Sequence, residues 1–257
     1  MSYECITVDR REQFAAVTMN LPDKRNALGL MHLTELADAF RSIGGSDALG
    51  VVLAGNGPVF SAGHDFSEMA GSDLVFMQRL LGACVELMDV IQSVPQVVIA
   101  RVHGLATAAG CQLVATCDLA VAAESAGFAV PGGKGGWFCT TPMVALGRNI
   151  GRKRAFEMAL TGDTIDASTA ADWGLVNRVV PDPELDAATS ELLGRATRGS
   201  PLSKAIGKKA LYHQLGLSQD DAYSYATEVM SAASQTADAQ EGMAAFVEKR
   251  PPRWTGH

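Results

Sequence analysis

Short apolar runs alternate with stretches of helical periodicity over the first half of the chain. Residues 51–54, 97–102 and 119–122 are almost wholly apolar, which is typical of strands buried on both faces of a sheet. Between these runs, residues 28–43 and 72–91 repeat apolar positions at helical spacing. An alternation of buried strands and helices predicts an α/β fold with a largely parallel sheet.

The two ends of the chain differ from this central pattern. Residues 3–8 and 14–19 predict two strands joined by a charged turn at residues 9–12. After about residue 140 helices predominate, and we place a boundary near residue 195, between an α/β core at residues 1–195 and a C-terminal helical region at residues 196–257. Further helices are predicted at residues 107–116, 152–160, 168–173, 184–197, 202–213, 218–231 and 237–247, and a further strand at residues 175–180.

Composition and charge disfavour several classes of protein. Hydrophobic residues make up 47% of the 257-residue chain and charged residues 19%, which argues against a disordered or fibrous protein. The 28 acidic and 21 basic residues leave a formal charge of -7. Such a surface repels phosphate backbones, so general nucleic-acid binding is disfavoured. A small anionic ligand held by a local basic pocket is still compatible with this charge.

Cysteine usage and the apolar stretches predict a reduced, soluble protein. The 5 cysteines are odd in number and form no C-x-x-C pair, which favours free thiols over a disulfide framework or a zinc site, so no metal is expected. Residues 94–123 are the most apolar stretch, but Arg101, His103 and Asp118 interrupt it, so no membrane span is predicted. Residues 1–10 lack the apolar run of a signal peptide. We therefore expect a cytoplasmic protein.

One glycine-rich segment superficially suggests a phosphate-binding loop. Residues 131–136 read PGGKGG, but they lack the Lys-Ser/Thr ending and the following helix of a Walker A loop. A glycine turn over a cleft is the better interpretation, and nucleotide binding by a doubly wound domain is a weaker alternative. No G-x-S-x-G or H-E-x-x-H motif occurs in the chain.

Two other segments favour a site for a negatively charged oxygen. Residues 60–66, FSAGHDF, follow a buried strand, and the small residues before His64 let the backbone bend sharply and present N–H groups. Residues 103–113, HGLATAAGCQL, place several small residues at the start of a helix. The N-terminus of a helix binds a negatively charged oxygen best, because its first N–H groups are free. Two donors from these segments would form a cradle for an oxyanion. Small residues also permit close helix–strand packing, so the spacing alone leaves both interpretations open.

Six segments stand out as motifs: FSAGHDFSEM (60–69), HGLATAAGCQL (103–113), CDLA (117–120), LTGDTID (160–166), WGLVNRVV (173–180) and FVEKRP (246–251). Together they resemble the crotonase superfamily, the enoyl-CoA hydratase/isomerase group, over nearly the whole chain. GLATAAGCQL and the later WFCTTP are most similar to one subgroup, that of enoyl-CoA hydratase domain-containing protein 3.

The resemblance implies a fold, an assembly and a ligand. The fold would be a crotonase-like spiral of ββα units with a C-terminal helical trimerisation region, which gives a homotrimer or a dimer of trimers. The ligand would be an acyl-CoA thioester, with CoA as part of the substrate and no separate cofactor. The backbone N–H groups of His64 and Ala109 would bind its carbonyl oxygen. Substrate-binding residues by position are Lys24, Arg25, Ala27, His64, Asp65, Phe66, Ser67, Ala109 and Lys249, although a solvated helix end also explains Lys249.

The match fails where hydratases of this family carry two glutamates. Gln112 and Gly132 occupy those positions here, and neither an amide nor a glycine can act as a base near pH 7. We therefore expect weak hydration of enoyl-CoA, while enzymatic action on an acyl-CoA through enolate stabilisation is the favoured function. The alternative is a non-catalytic acyl-CoA binding or regulatory module. Asp65, Lys134 and Cys139 are candidates to replace the missing acids.

Overall fold

Nine strands form two sheets in residues 3–256, the part of the chain that the computed structural model describes. In chain order they are β1 (Ile6–Arg11), β2 (Phe14–Met19), β3 (Gly50–Gly55), β4 (Val97–Val102), β5 (Ala106–Thr107), β6 (Leu119–Ala123), β7 (Gly127–Ala129), β8 (Ile165–Asp166) and β9 (Arg178–Val180). The main sheet has the order β1-β2-β3-β4-β6-β9, and β5, β7 and β8 form a small second sheet. Only β1 is antiparallel to its neighbour in the main sheet, so the largely parallel sheet is confirmed.

Eleven α-helices connect and cover these strands within the same residues. The last three form the C-terminal helical region that the sequence predicts. The helices are α1 (Leu30–Gly44), α2 (Phe66–Met69), α3 (Leu74–Ser93), α4 (Ala109–Thr116), α5 (Pro142–Asn149), α6 (Arg152–Thr161), α7 (Ala167–Trp173), α8 (Leu185–Ala196), α9 (Pro201–Gln214), α10 (Gln219–Ala233) and α11 (Ala237–Glu248).

The main sheet is buried on both faces, as its continuous apolar strands predict. Successive residues of β4 point to opposite faces, so Val98 and Ala100 belong to the larger core, to which α1 and α3 also contribute. Ile99 points the other way and packs with Leu185 and Leu193 of α8 in a smaller cluster. The sheet is therefore a rigid layer from which the loops at the ends of its strands project.

The structure corrects several predicted boundaries. Residues 9–11, predicted as part of a turn, extend β1 because they pair with β2, and the turn shrinks to two residues with Glu12 at a φ of 53°. β1 lies at the edge of the sheet, where charged side chains reach water. α4 begins at Ala109 instead of residue 107, because Thr107 pairs with β7 in the second sheet. The sequence pattern did not predict α5, a short helix that begins with Pro142.

A buried ion pair connects the C-terminal helices to the main sheet. Nζ of Lys208 on α9 lies 2.8 Å from the carboxylate of Asp118, and the Tyr212 hydroxyl donates to the same carboxylate at 2.8 Å. Asp118 also accepts the N–H of Val98 at 2.7 Å, and Lys208 donates to two backbone carbonyls. These bonds offset the desolvation of both charges. The domain boundary near residue 195 lies at the end of α8 and stays a prediction.

Three further features of the structure concern disulfides, metal ions and membrane-spanning helices. All five cysteines are buried and free. In residues 3–256, no group of three or more His, Cys, Asp or Glu side chains is placed to hold a metal ion. Over the same range, no helix combines the length and the apolar character that crossing a membrane requires.

Candidate active site

A cavity of about 590 Å³ lies where several segments of the chain meet. The turn after β3 forms one wall, the end of β5 a second, and the loop after β7 a third. This volume is within the range of about 300–1,000 Å³ that small-molecule sites occupy. Most of the lining is apolar or aromatic, and no aspartate or glutamate of the described part of the chain belongs to it. The lining residues are Ala62, His64, Phe66, Leu81, Thr107, Ala108, Pro131, Gly132, Lys134, Gly135, Trp137, Phe138, Cys139, Thr140, Thr141 and Pro142.

The turn after β3 presents a free N–H group at His64. The N–H of Leu28 donates to the carbonyl oxygen of Gly63 at 2.8 Å, and the N–H of Asp65 donates to the carbonyl oxygen of Leu28 at 3.3 Å. Because His64 lies between these two partners in a parallel bridge, its own N–H faces away from Leu28. It has no backbone acceptor within residues 3–256. The bridge therefore fixes the direction of an unpaired donor.

The start of α4 presents a second free N–H group at Ala109. Ala109 is the first helical residue, so its N–H has no acceptor within the helix. Ala108 precedes it with a φ of 50° and a ψ of -114°, a strained conformation for a residue other than glycine. The N–H of Ala108 donates to the carbonyl oxygen of Ala129 at 2.8 Å and holds this conformation in place. Strain of this kind is often found at functional sites.

Gly63 allows the two segments to touch. Its φ of +83° suits glycine, and a Cβ at this position would lie 2.8 Å from the carbonyl oxygen of Thr107 and 3.3 Å from the nitrogen of Ala109. The turn that carries His64 therefore packs directly against the start of α4. The two segments predicted from glycine and helix-terminus arguments are thus adjacent in the fold.

Asn26 supports the same turn, although no sequence motif marks it. Its side chain is fully buried and donates to the carbonyl oxygens of Asn56, Val59 and Phe60 at 2.8, 3.1 and 3.0 Å. The backbone carbonyl oxygen of Asn26 accepts a hydrogen bond from the Ser61 hydroxyl at 2.8 Å. An asparagine in a polar loop gives no signal for such a role beyond its tolerance of a left-handed φ, here 51°.

Gln112 lies behind the cavity wall. It is 4% exposed and does not line the cavity, and its side-chain oxygen is 3.9 Å from Sγ of Cys84. Burial raises the pKa of Cys84 to about 12, so the thiol stays protonated and its S–H points toward this oxygen. At the first of the two glutamate positions, the structure therefore places a neutral amide next to a neutral thiol.

At the second glutamate position, the backbone leaves no room for a side chain. Gly132 lies in a 3₁₀ turn, Pro131–Gly133, and its carbonyl oxygen accepts the N–H groups of Gly135 at 3.1 Å and Trp137 at 2.8 Å. A Cβ on Gly132 would lie 2.6 Å from Sγ of Cys139. The glycine-rich loop thus forms a tight wall over the cavity, as its interpretation as a turn over a cleft expects.

Among residues 3–256, three titratable side chains line the cavity, and none is a carboxylate. His64 is 9% exposed, and burial alone lowers its pKa to about 4, so its ring is neutral at pH 7. Burial also raises the pKa of Cys139, which keeps that thiol protonated. Lys134 is exposed, and its Nζ lies 3.1 Å from the carboxylate of Asp163. The site can donate hydrogen bonds, but it offers no strong base at neutral pH.

Asp65 and its neighbours form a small polar cluster next to the cavity. The Asp65 carboxylate caps α2, where it accepts the N–H of Ser67 at 2.9 Å and its hydroxyl at 2.6 Å. Nζ of Lys24 lies 3.6 Å from the same carboxylate. The Ser67 hydroxyl and, more weakly, Lys24 lower the pKa of Asp65, so it is an ionised cap at pH 7. This capping role makes Asp65 a poor replacement for a catalytic acid.

Arg25, Ala27 and Lys249, which the sequence also predicts to bind substrate, lie outside the cavity lining. Arg25 accepts the N–H of Ala62 through its carbonyl oxygen at 3.0 Å, and Ala27 lies two residues further along the same loop. Lys249 is exposed at the C-terminal end of α11 and does not line the cavity. Leu81, Thr107 and Trp137 line the cavity without having been predicted, since they come from segments distant in sequence and no periodic pattern relates them.

Comparisons with known proteins agree with the motifs. The family described as Enoyl-CoA hydratase/isomerase matches residues 9–257. Enoyl-CoA hydratase domain-containing protein 3, mitochondrial, of Danio rerio is 43% identical over 243 residues, which is 93% of this chain and 83% of that protein. The crystal structure of an enoyl-CoA hydratase from Mycobacterium smegmatis has a TM-score of 0.95 at 42% identity and covers 98% of this chain and 99% of that chain. The crystal structure of human enoyl-CoA hydratase domain-containing protein 3 has a TM-score of 0.94 at 37% identity, with 98% and 100% covered.

Proposed function

Because the chain belongs to the enoyl-CoA hydratase/isomerase family and has the crotonase-like fold that its motifs predict, we propose that its cavity binds the acyl end of an acyl-CoA thioester. One observation carries the proposal. The unpaired N–H groups of His64 and Ala109 lie on two adjacent segments, and His64 and Ala108 of these segments line a mainly apolar cavity. A thioester carbonyl oxygen between them would accept both hydrogen bonds.

This arrangement suits the stabilisation of an enolate. When a bond at the α-carbon of a thioester breaks and its electron pair stays on carbon, for example when a water molecule in the cavity takes the α-proton, negative charge moves to the carbonyl oxygen. Two fixed donors stabilise that charge without rearranging. Each donor of this kind contributes about 3 kcal/mol to a transition state. We propose that the protein is an enzyme of the lyase or isomerase class that acts through such an enolate.

Hydration is proposed to be weak, because no carboxylate of the residues that the structure describes lines the cavity. Adding water to an enoyl-CoA needs a group that removes a proton from water and a group that delivers one to the α-carbon. Gln112 and Gly132 supply neither. Steady-state hydration of crotonyl-CoA by the purified protein tests this claim, and a turnover above about 10 per second, the ordinary value for enzymes, would contradict it.

A non-catalytic acyl-CoA binding or regulatory module is the second candidate. The lack of an aspartate or glutamate in the cavity lining, within residues 3–256, and the absence of space for a side chain at Gly132 favour it. Both candidates bind thioesters, so affinity does not separate them. Incubation with a panel of acyl-CoAs, followed by mass spectrometry of the products, does. A product whose formation stops in a Gly63→Ala variant favours the enzyme, whereas binding without any product favours the module.

The carbonyl-binding step has its own test and a matched control. A conjugated thioester such as a cinnamoyl-CoA absorbs at longer wavelength when its carbonyl is polarised, so the shift on binding reports the two N–H groups directly. We expect the shift to be lost in Gly63→Ala, whose Cβ would press on Thr107 and Ala109. Gly71→Ala introduces a Cβ at a similar φ of +80° with nothing within 4 Å and should retain it. A bound acyl-CoA whose carbonyl points away from both N–H groups would overturn the proposal.

We propose that the CoA portion of the ligand contacts the rim of the cavity, which is formed by Lys24, Arg25, Ala27 and the His64–Ser67 turn. We propose no separate cofactor. Lys24 is exposed and adjacent to the cavity turn through Asp65, which supports a contact with a CoA phosphate. Lys249 does not line the cavity of a single chain, so its proposed contact needs a neighbouring subunit. Lys24→Ala should weaken acyl-CoA binding while leaving the absorbance shift of the bound thioester in place.

We propose a homotrimer or a dimer of trimers as the assembly. Large apolar side chains on α10 and α11 are exposed in the single chain, among them Met230 at 78%, Phe246 at 85% and Val247 at 78%. Contiguous exposed apolar residues are typical of protein–protein contacts. Light scattering coupled to gel filtration measures the mass directly, and a monomer at micromolar concentration would contradict the assembly.

The sequence favours a cytoplasmic protein, whereas the similar proteins from Danio rerio and human are named as mitochondrial. Cytoplasmic localisation therefore stays a prediction, which fractionation of the source cells would test.

A further inference from the structure

Ser61 is a fully buried serine whose hydroxyl group holds two backbone segments next to the cavity. The hydroxyl donates to the backbone carbonyl oxygen of Asn26 at 2.8 Å and accepts the N–H of Gly63 at 3.2 Å. Its donor and one of its acceptor sites are therefore used by backbone groups of the protein. Ser61 does not line the cavity, so its side chain does not reach a thioester bound there.

The bond to Gly63 lies one peptide away from the donor at His64. In a planar trans peptide the N–H points opposite to the carbonyl, so the Gly63–His64 peptide plane sets the direction of the His64 N–H. Leu28 anchors this plane by donating to the Gly63 carbonyl oxygen at 2.8 Å. The Ser61 hydroxyl anchors the preceding plane, between Ala62 and Gly63. The two bonds thus fix both peptide planes that meet at Gly63.

Gly63 needs such anchors because a glycine backbone is freer to rotate than any other. Its φ is +83°, and glycine populates positive and negative φ about equally. A side chain would restrict this freedom, but a Cβ at this position would lie 2.8 Å from the carbonyl oxygen of Thr107. The Ser61 hydroxyl therefore supplies, from outside, a restraint that residue 63 has no space to supply itself.

The backbone of Ser61 contacts the segment that carries the second donor. Its carbonyl oxygen accepts the N–H of Thr107 at 2.9 Å, two residues before Ala109. Ser61 also lies against Gly110, where a Cβ would be 2.6 Å from the Ser61 carbonyl oxygen and 2.7 Å from its Cβ. One buried residue thus contacts both segments whose N–H groups are proposed to share the thioester oxygen.

From these contacts we propose that Ser61 is a positioning residue, whose hydroxyl directs the His64 N–H toward the thioester oxygen that Ala109 also binds. A hydrogen bond weakens steeply when its angle falls below about 120°, so two donors act together only when both point at one oxygen. Loss of the hydroxyl frees the peptide before Gly63 and weakens the polarisation of the carbonyl, while the CoA portion keeps its own contacts. This inference rests on the proposed function, because it needs a thioester at the two N–H groups.

The test measures the absorbance shift of bound cinnamoyl-CoA in variants of Ser61. At saturating ligand, we expect Ser61→Ala to keep less than about half of the wild-type shift, while its dissociation constant rises less than about tenfold. Ser61→Cys keeps a weaker donor and acceptor at the same position, so its shift should lie between those of the wild type and Ser61→Ala. A larger effect on the shift than on affinity separates positioning from a general loss of the site.

Ser200 is the matched control, because its buried hydroxyl makes the same two kinds of bond outside the cavity lining. It donates to the carboxylate of Asp238 at 2.5 Å and accepts the N–H of Ser203 at 3.1 Å. We expect Ser200→Ala to lower the midpoint of urea unfolding, as Ser61→Ala does, and to keep the full shift of cinnamoyl-CoA. The comparison thus separates the loss of a buried hydroxyl from the loss of its direction on the donor.

Urea unfolding shows whether each variant is folded. A full shift in Ser61→Ala would overturn the inference, and so would an equal loss of shift in Ser200→Ala, because lower stability alone would then explain both. If Ser61→Ala does not fold, Ser61→Cys decides, and a full shift in that variant would overturn the inference. A wild type that does not bind cinnamoyl-CoA, or binds it without a shift, would refute the proposed function and the inference with it.

Discussion

A Cβ atom on Gly132 would lie 2.6 Å from Sγ of Cys139 and closer still to the carbonyl oxygen of Trp137. The loop at residues 131–139 is thus built around the absence of a side chain, at the position where the family resemblance places a glutamate. Real Cβ atoms do not approach other atoms this closely, so the loop must move to accept any residue other than glycine. The substitution Gly132→Glu is therefore not expected to restore hydration by itself.

The stability of Gly132 variants tests this relationship. We expect Gly132→Ala to lower the free energy of unfolding by about 1–3 kcal/mol, because the added methyl overpacks against backbone and a buried thiol. Gly135→Ala is the matched control in the same loop, since its Cβ would lie 3.6 Å from the nearest atom, an ordinary contact. Urea unfolding followed by circular dichroism measures both. Equal stability of the two variants would show that the loop adapts without cost.

Gln112→Glu is not expected to restore hydration either, because residue 112 lies behind the cavity wall. Gln112 is 4% exposed, does not line the cavity and is next to the protonated Cys84 thiol, so a carboxyl group there would be kept neutral by burial and away from the substrate. We expect crotonyl-CoA hydration by Gln112→Glu to equal that by Gln112→Met, which has a similar size and no ionisable group. Steady-state hydration measures both variants. A Gln112→Glu enzyme at least about tenfold faster than Gln112→Met would show that residue 112 reaches the substrate and would contradict its placement behind the wall.

The buried amide of Asn26 allows a third prediction. Asn26→Ala leaves the carbonyl oxygens of Asn56, Val59 and Phe60 without their donor, and we expect the free energy of unfolding to fall by about 3 kcal/mol or more. Asn56→Ala is the control. Its exposed side chain makes one bond, to Asn20 at 2.9 Å, and its loss should cost less than about 1 kcal/mol. Thermal or urea unfolding measures both variants. If Asn26→Ala lost as little unfolding free energy as Asn56→Ala, the proposed support of the turn by Asn26 would be wrong.

Much of the fold follows from local pattern. β3, β4 and β6 were predicted because a strand buried on both faces must be apolar at successive positions. The second sheet was missed, since strands of two or three residues, such as β5 and β8, are too short to show any period. Residues 9–11 were assigned to a turn because their charges suggested one, whereas pairing with β2 decides their conformation.

The candidate site was likewise only partly predictable from the sequence. The turn at His64 and the start of α4 were predictable, since glycine and small residues mark places where the backbone bends or approaches closely. Trp137 and Leu81 were not, because they reach the cavity through tertiary packing of remote segments. The lack of space at Gly132 depends on where Cys139 lies after folding, so it could not be read from the sequence.

The last prediction is that the ionisation of His64 makes the free energy of unfolding depend on pH. Burial lowers the pKa of His64 from 6.5 to about 4 in the folded protein, so the unfolded chain binds more protons between these values. The free energy of unfolding should therefore fall as the pH decreases from about 6.5 toward about 4, with about 2 kcal/mol of the loss at pH 5 due to His64.

His64→Phe isolates this contribution from the other groups that titrate in the same range. Burial also lowers the pKa of His32 and His103, so the wild type loses more stability than His64 alone explains. We expect the difference in unfolding free energy between the wild type and His64→Phe to change by about 2 kcal/mol between pH 7.5 and pH 5, in favour of the variant at the lower pH. Urea denaturation at the two pH values measures this difference. A difference independent of pH would mean that the ring titrates in the folded protein as it does in the unfolded chain, and would contradict its burial.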